Sequence, residues 1–267
     1  MDTLKDRVAV VTGGASGIGR ALSLAFARAG ARVVVADLDE ASMAETVRGV
    51  EQAGSQAIAV RTDVSQRAAV DALAEAAFAK WGAVHVLCNN AGIALWGPTH
   101  TATQEDWEWA IGVNLWGVIH GVAAFVPRMV AQGQGGHVVN TASMAGLIAS
   151  EGLGVYNTTK YAVVGLSETL QKDLRRANIG VSVLCPMGVK TRIRESDRSR
   201  PARLARTASE KGEAVELIGR YLDPDEVADM VLRAIRENRL YVITHEEGLE
   251  PLRRRFERMR KAVEESR

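Results

Sequence analysis

The chain has 267 residues, 33 Lys+Arg against 32 Asp+Glu, and is 47 % hydrophobic and 24 % charged. A net charge of +1 excludes the large basic excess of a nucleic-acid binder, and this composition excludes a disordered chain. At ~150 residues per domain the length leaves room for one large or two small domains. It can bury a core without staples. The two cysteines, Cys88 and Cys185, each close an apolar run (AVHVLC and GVSVLC) and read as core residues, so no metal site is expected. Met1–Arg7 is polar and the apolar runs fall short of the ~18 residues of a membrane span. A cytoplasmic protein with neither membrane nor nucleic-acid partners is expected.

Strands are expected at Arg7–Thr12, Arg32–Asp37, Ala57–Arg61, Val84–Cys88, His137–Thr141, Val181–Cys185 and Leu240–Ile243. Between them, helical spacing marks Gly17–Ala29, Glu40–Ala53 and Gln66–Trp81. A further helix starts near Glu105, behind Thr103-x-x-Asp106, and stays apolar to Phe125, ahead of Pro127. Continuously apolar strands interleaved with helices predict an α/β fold, a doubly wound parallel sheet of about seven strands covered on both faces. No repeat or linker divides the chain, which reads as one domain over 1–267. One stretch breaks the rhythm, a lid-like insertion at about 190–218. It carries six arginines by Arg206, has a break near Gly212 and precedes a helix near Asp223.

The first strand runs into Thr12-Gly13-Gly14-Ala15-Ser16-Gly17-Ile18-Gly19 and then directly into a helix. Glycines allow a tight turn and close backbone approach, and the helix start offers free N–H groups to a pyrophosphate. Gly13, Ser16, Gly17, Ile18 and Gly19 are the candidate contacts. Asp37 ends the second strand, where a carboxylate can accept both ribose hydroxyls of NAD and repel the 2′-phosphate of NADP. Its alternative is a turn residue. Ser16 and Leu38 offer a 2′-phosphate no cation, so NAD is preferred to NADP. Asp63 and Val64 follow the third strand, Asp63 as an adenine contact or a helix cap. Asn90, Ala91 and Gly92 follow the fourth, where a nucleotide would cross the sheet edge.

Tyr156 and Lys160 are four residues apart and share a helix face. A phenol of pKa ~10 needs a neighbouring cation before it can exchange protons at neutral pH. Ser143 lies just beyond the fifth strand, and Asn114 sits in an apolar helix, where an amide competes with helical hydrogen bonding.

Together, TGGASGIG, NNAG, Asn114, Ser143 and YNTTK resemble the short-chain dehydrogenase/reductase family in order and spacing, over roughly residues 5 to 192. The resemblance implies a Rossmann-type fold and a tetrad of Asn114, Ser143, Tyr156 and Lys160. In it, Ser143 polarises the substrate carbonyl and Tyr156 is the acid/base. Lys160 holds the nicotinamide ribose and tunes Tyr156, and Asn114 positions a water for a proton relay. Pro186, Val189 and Thr191 are implied to hold the nicotinamide end. The family usually has Pro-Gly after the sixth strand, whereas this chain has Pro186-Met187-Gly188, so Met187 stands against the ring or the substrate.

By the same resemblance, substrate contacts come from Leu95 and Trp96, from Met144 and Leu153, and from the lid. These are mostly apolar, suiting a small apolar or aromatic secondary alcohol or ketone. Trp96 reads equally as a stacking partner or as core. The lid arginines read first as a solvated face, with a clamp for an anionic substrate as the alternative. The segment from Arg203 through LEPLRRRFERM distantly resembles enzymes oxidising benzylic alcohols of lignin-type aryl ethers. The rival class is a non-catalytic dinucleotide sensor, which has no need of Tyr156 and Lys160 together. The family pairing implies a homodimer or homotetramer, with Arg253–Arg260 packed in an interface or simply solvated.

Overall fold

β-branched runs become strands here because both of their faces are covered. β1 (Val8–Thr12) is buried at every position, as are β4 (Val86–Asn89) and β5 (Gly136–Thr141). With β2 (Arg32–Asp37), β3 (Ala57–Arg61), β6 (Ile179–Cys185) and β7 (Tyr241–Ile243) they form one parallel sheet in the order β3-β2-β1-β4-β5-β6-β7. The computed structural model describes residues 1, 3–206 and 219–266; the expected break near Gly212 and the far end of the 190–218 insertion lie outside them.

Alternate residues of each strand feed two separate cores. Ala9, Val11, Val33 and Val35 pack with Leu22 and Phe26 of α1 (Gly17–Arg28), Met43 of α2 (Glu40–Gln52) and Val231 and Ile235 of α7 (Pro224–Glu237). Val8, Val10 and Val34 pack the other way. They meet Leu73 of α3 (Arg67–Trp81), Phe125 and Met129 of α5 (Gly117–Ala131) and Leu170 of α6 (Gly154–Asp173). The sheet is doubly wound, as its apolar strands require. Its order reverses between β1 and β4, and the crevice at that switch point is where a ligand sits in such folds.

Several boundaries differ from the sequence reading, β6 starting at Ile179 rather than Val181 among them, and three differences have a visible cause. β4 starts at Val86 rather than Val84 because the Gln132 side chain takes both backbone groups of Val84, at 3.2 and 2.7 Å. The helix behind Thr103, whose capping box with Asp106 is formed, is broken into α4 (Gln104–Ile111), a π-turn (Gly112–Trp116) and α5. It also runs through Pro127 to Ala131. Interior proline costs ~3 kcal/mol, and Phe125 and Met129, both fully buried, return ~1.5–3 kcal/mol each. Among the described residues, Gln104–Ala131 is the helical stretch that meets the length and apolarity of a membrane span. Those apolar residues are spent against α3, α6 and β4. A last helix, α8 (Leu249–Glu265), has no buried residue.

Candidate active site

The carboxyl ends of β1, β4 and β5 are tied into one floor. Thr12 Oγ1 donates to the Cys88 carbonyl and accepts from the Asn90 and Ala91 N–H groups at 2.9 and 3.1 Å. Asn90 Nδ2 donates back to the Thr12 carbonyl, and Thr141 Oγ1 donates to Asn90 Oδ1. The backbone therefore approaches very closely at Gly13, whose φ is +65° and where a Cβ would lie 2.9 Å from Ala91 Cα. Gly17, at φ +52°, lies equally close to Thr191. Ser16 caps α1 without committing its side chain, which leaves the first-turn N–H groups to a ligand.

At the far end of this cradle Asp37 Oδ2 accepts from the Ala15 N–H at 3.0 Å, and Oδ1 from Leu38 and Asp39. The carboxylate thus shapes the glycine turn while standing on the cleft wall, alongside Gly13, Ser16, Gly17, Ile18, Asn90, Ala91 and Gly92. Asp63 also lines the cleft, but its Oδ1 accepts from the Ser65 N–H and hydroxyl, so it fills the local turn-capping role. Val64 borders it and receives His120 on its carbonyl. Gly19 lies behind the wall, where a Cβ would collide with the Gly13 carbonyl. A glycine-lined turn at a helix start, with a carboxylate closing one end, fits a dinucleotide.

Ser143, Tyr156 and Lys160 meet on the wall of the same cleft, which measures about 1100 Å3. Lys160 is 3 % exposed and its Nζ donates to the Thr141 carbonyl at 2.9 Å. It lies 5.6 Å from the centre of the Tyr156 ring. Burial dominates both groups: it pushes the phenol up to about 12, against the pull of a hydrogen bond with Ser143, and the ammonium down to about 8. In the protein without coenzyme Lys160 does not offset the loss of water around Tyr156. Ser143 Oγ donates to the Pro186 carbonyl at 3.3 Å and accepts from the Ala145 N–H, joining the β5 and β6 ends.

Asn114 is fully buried and sits in the π-turn, behind the wall rather than on it. Its Oδ1 accepts from the Ile93 N–H at 2.8 Å, while Nδ2 donates to the Ile93 carbonyl and to Thr159 Oγ1. Its side chain is thus a positioning group that locks the turn after Gly92 to α6: both Nδ2 hydrogens are used, and Oδ1 keeps an acceptor lone pair beyond its bond from Ile93.

On the substrate side Trp96, Met144, Leu153 and Met187 line the cleft, as do Pro186, Val189 and Thr191. Leu95 does not: it is 4 % exposed and packs with Trp109, Val155 and Leu204 behind the wall. Met187, Leu240 and Leu252 each pack against the buried cluster that contains Met144, and Met144 and Met187 both lie beside Gly248. The extra residue after Pro186 thus meets the C-terminal segment.

Residues 190–206 lie over this half. Ser196 Oγ accepts from the Ala94 N–H at 2.9 Å, and Leu204 enters the cluster around Trp109. Two lid arginines are not solvated, contrary to the first reading. The side chains of Arg200 and Arg206 are 5 % and 7 % exposed, both bonded to Asp106. Sequence reasoning missed this cluster, and Thr12, Thr141 and Thr159 with it. The side-chain pairings that join them to Ala91, Asn90, Asn114 and Asp106 span 45 to 100 residues, and no local pattern marks them.

Comparison with known proteins places this geometry. The family model for short chain dehydrogenases matches residues 7–202. The chain belongs to the short chain dehydrogenase family. A C alpha-dehydrogenase of Sphingobium sp. strain SYK-6 is 36 % identical over 263 residues, 96 % of this chain and 86 % of that protein. A CLA biosynthesis dehydrogenase/reductase of Lactiplantibacillus plantarum is 34 % identical, over 92 % of this chain and 91 % of that one. Among solved structures, a short chain dehydrogenase/reductase of Burkholderia phymatum in complex with NAD superposes with a TM-score of 0.91. It is 41 % identical, covering 98 % of this chain and 97 % of its own.

The buried lysine generates a stability prediction. Its value of about 8 lies below the ordinary 10.5, so as pH falls from 10.5 to 8 the unfolded chain takes up the proton first. Stability declines over that window and stays lowered beneath it. Lys160→Met removes the charge at similar length and is expected to stabilise the coenzyme-free protein at pH 7 by ~1–3 kcal/mol. Denaturant unfolding should show that gain shrinking as pH rises through the window; an unchanged or lower midpoint at pH 7 contradicts it.

Proposed function

We propose that the protein is an NAD-dependent alcohol dehydrogenase or ketone reductase. It would move a hydride between NAD(H) and the carbinol or carbonyl carbon of a small, apolar or aromatic secondary alcohol or ketone. The observation that carries this reading is the meeting of Ser143, Tyr156 and Lys160 beside a glycine-lined cradle. One proton-exchanging group, one hydroxyl able to hold an oxygen and one buried cation stand at a single cleft wall. NAD, when bound, supplies the hydride acceptor. The protein's part is to orient, to exclude water and to move one proton.

In this reading the Tyr156 oxygen takes the alcohol proton during oxidation and returns it during reduction, while Ser143 holds the same oxygen in place. Lys160 holds the nicotinamide ribose and favours the phenolate; a further positive charge in the pocket is needed to overcome the burial that raises the phenol. Asn114 keeps the Gly92–Ile93 turn and α6 in register and positions a water for a proton relay through Lys160. Asn90, Ala91, Gly92, Pro186, Val189 and Thr191 enclose the coenzyme. The relatives named above as dehydrogenases support the chemistry, and the NAD complex supports the coenzyme. We take the chain as one cytoplasmic catalytic unit assembling as a homodimer or homotetramer.

A screen of NAD-linked absorbance over aryl, steroid, sugar, hydroxy-acid and aliphatic secondary alcohols tests the reading at large. Tyr156→Phe is expected to lower turnover of any accepted alcohol by at least ~10²-fold, with NAD binding, followed by calorimetry, nearly unchanged. Retained turnover removes Tyr156 from the chemistry.

The coenzyme preference rests on Asp37, with Leu38 beside it 40 % exposed. A desolvated clash between carboxylate and 2′-phosphate makes kcat/KM favour NAD by ~100-fold or more. Asp37→Ala with Leu38→Arg is expected to shift the ratio toward NADP by supplying a forked cation. Equal use of both coenzymes by the wild type returns Asp37 to its bond with Ala15 alone.

A further inference from the structure

Residues 190–206 hold six arginines and one lysine against two acidic residues, in a chain whose whole net charge is +1. Arg192, Arg194, Arg198 and Arg203 are exposed. Arg200 differs, because its side chain is 5 % exposed and lies on the cleft wall. Its Nη1 donates to Asp106 Oδ1 at 2.7 Å, Nε donates to the Leu204 carbonyl, and the guanidinium stands 5.0 Å over the Trp109 ring. Nη2 is buried with no hydrogen-bond partner among the described residues. A buried donor without an acceptor is destabilising, most of all on a charged group, so it calls for a partner not yet in place.

The surroundings say what that partner is. Among the described residues Asp106 is the carboxylate touching Arg200, and it is shared. Arg206 Nη1 reaches both of its oxygens at 3.3 Å, and its Oδ2 also accepts from the Thr103 N–H. Arg206 also approaches Asp197, which is 37 % exposed, at 4.0 Å. Glu108, on the same helix, is exposed and accepts from Gln104. Trp109 and Leu204 pack with Ile93 and Val155, the residue before Tyr156, which puts Arg200 on the substrate side of the cleft. A guanidinium fork suits a carboxylate geometrically.

We infer that Arg200 Nη2 receives a carboxylate carried by the substrate at the end away from its reacting carbon. This rests on the dehydrogenase reading above and narrows it to alcohols or ketones with an apolar body and an anionic tail. Asp106 and Trp109 hold the guanidinium in place, and Arg206 leaves Asp106 too committed to satisfy it alone.

The test is calorimetric titration of the full chain, with NADH present, using acetophenones that carry a carboxylate. The carboxylate sits at ring position 3, at position 4 or on a two-carbon arm, and each acid is compared with its methyl ester. At least one acid is expected to bind ~10-fold or more tighter than its ester, as a charge-assisted bond allows. In Arg200→Met and in Arg200→Lys, which keeps a charge for Asp106 but loses the fork, the ratio is expected to fall to about one. Equal binding of every acid and ester by the wild type overturns the inference, as does an acid preference that survives in both variants. The matching alcohols are assayed with NAD in parallel. Turnover without acid preference overturns this inference alone, whereas acid-selective binding with no turnover of any alcohol overturns the dehydrogenase reading instead.

Discussion

A lysine ammonium held out of water governs this site. Lys160 Nζ donates to the Thr141 carbonyl, and burial is the main cause that lowers its affinity for a proton to about 8 and raises that of Tyr156 to about 12. Both charged forms are penalised by burial, Lys160 almost wholly enclosed and Tyr156 half-buried on the cleft wall. The low local dielectric that imposes the penalty also makes each added charge count for more than it would in water. The pocket is thus poised to respond to a cationic ligand, and an acid/base phenol needs that response.

The scaffold is arranged so that neither group can move away from the other. Lys160 reaches the end of β5, whose next turn carries Ser143, and Ser143 is bonded to the chain after β6. Asn114, in a π-turn between two helical segments, grips Ile93 on one side and Thr159 on the other. The irregular turn is the local cost of placing an amide there, and π-turns recur where helices serve function. Thr12 closes the set by carrying the backbone of Asn90 and Ala91 on a single hydroxyl.

Local patterns were legible in the sequence, and distant pairings were not. The seven strands and the doubly wound class follow from continuous apolar runs, since each strand must be covered on both faces. The cofactor turn and the Tyr156–Lys160 pair follow from spacing within one element. Leu95 was misplaced because neighbours on an irregular segment need not face the same way: Trp96 lines the cleft and Leu95 does not. Pro127 looked like a stop signal, yet tertiary burial of its neighbours outweighed it. The pairing of Arg200 and Arg206 with Asp106 spans 94 and 100 residues, and a run of arginines alone reads as a solvated face. Only the packed chain brings Asp106 beneath them.

The account turns on whether Tyr156 changes its acidity when a positive charge enters the pocket. The direct measurement is tyrosinate absorbance against pH, taken as the difference between wild type and Tyr156→Phe so that the other three tyrosines cancel. It is recorded without coenzyme and with saturating NAD in its oxidised form. Without coenzyme Tyr156 is expected to stay mostly protonated up to about pH 11, as befits a phenol pushed to about 12. With coenzyme the account predicts ionisation at a clearly lower pH, each unit of fall being ~1.4 kcal/mol of differential stabilisation. A Tyr156 that stays protonated to the same pH in both titrations would contradict it.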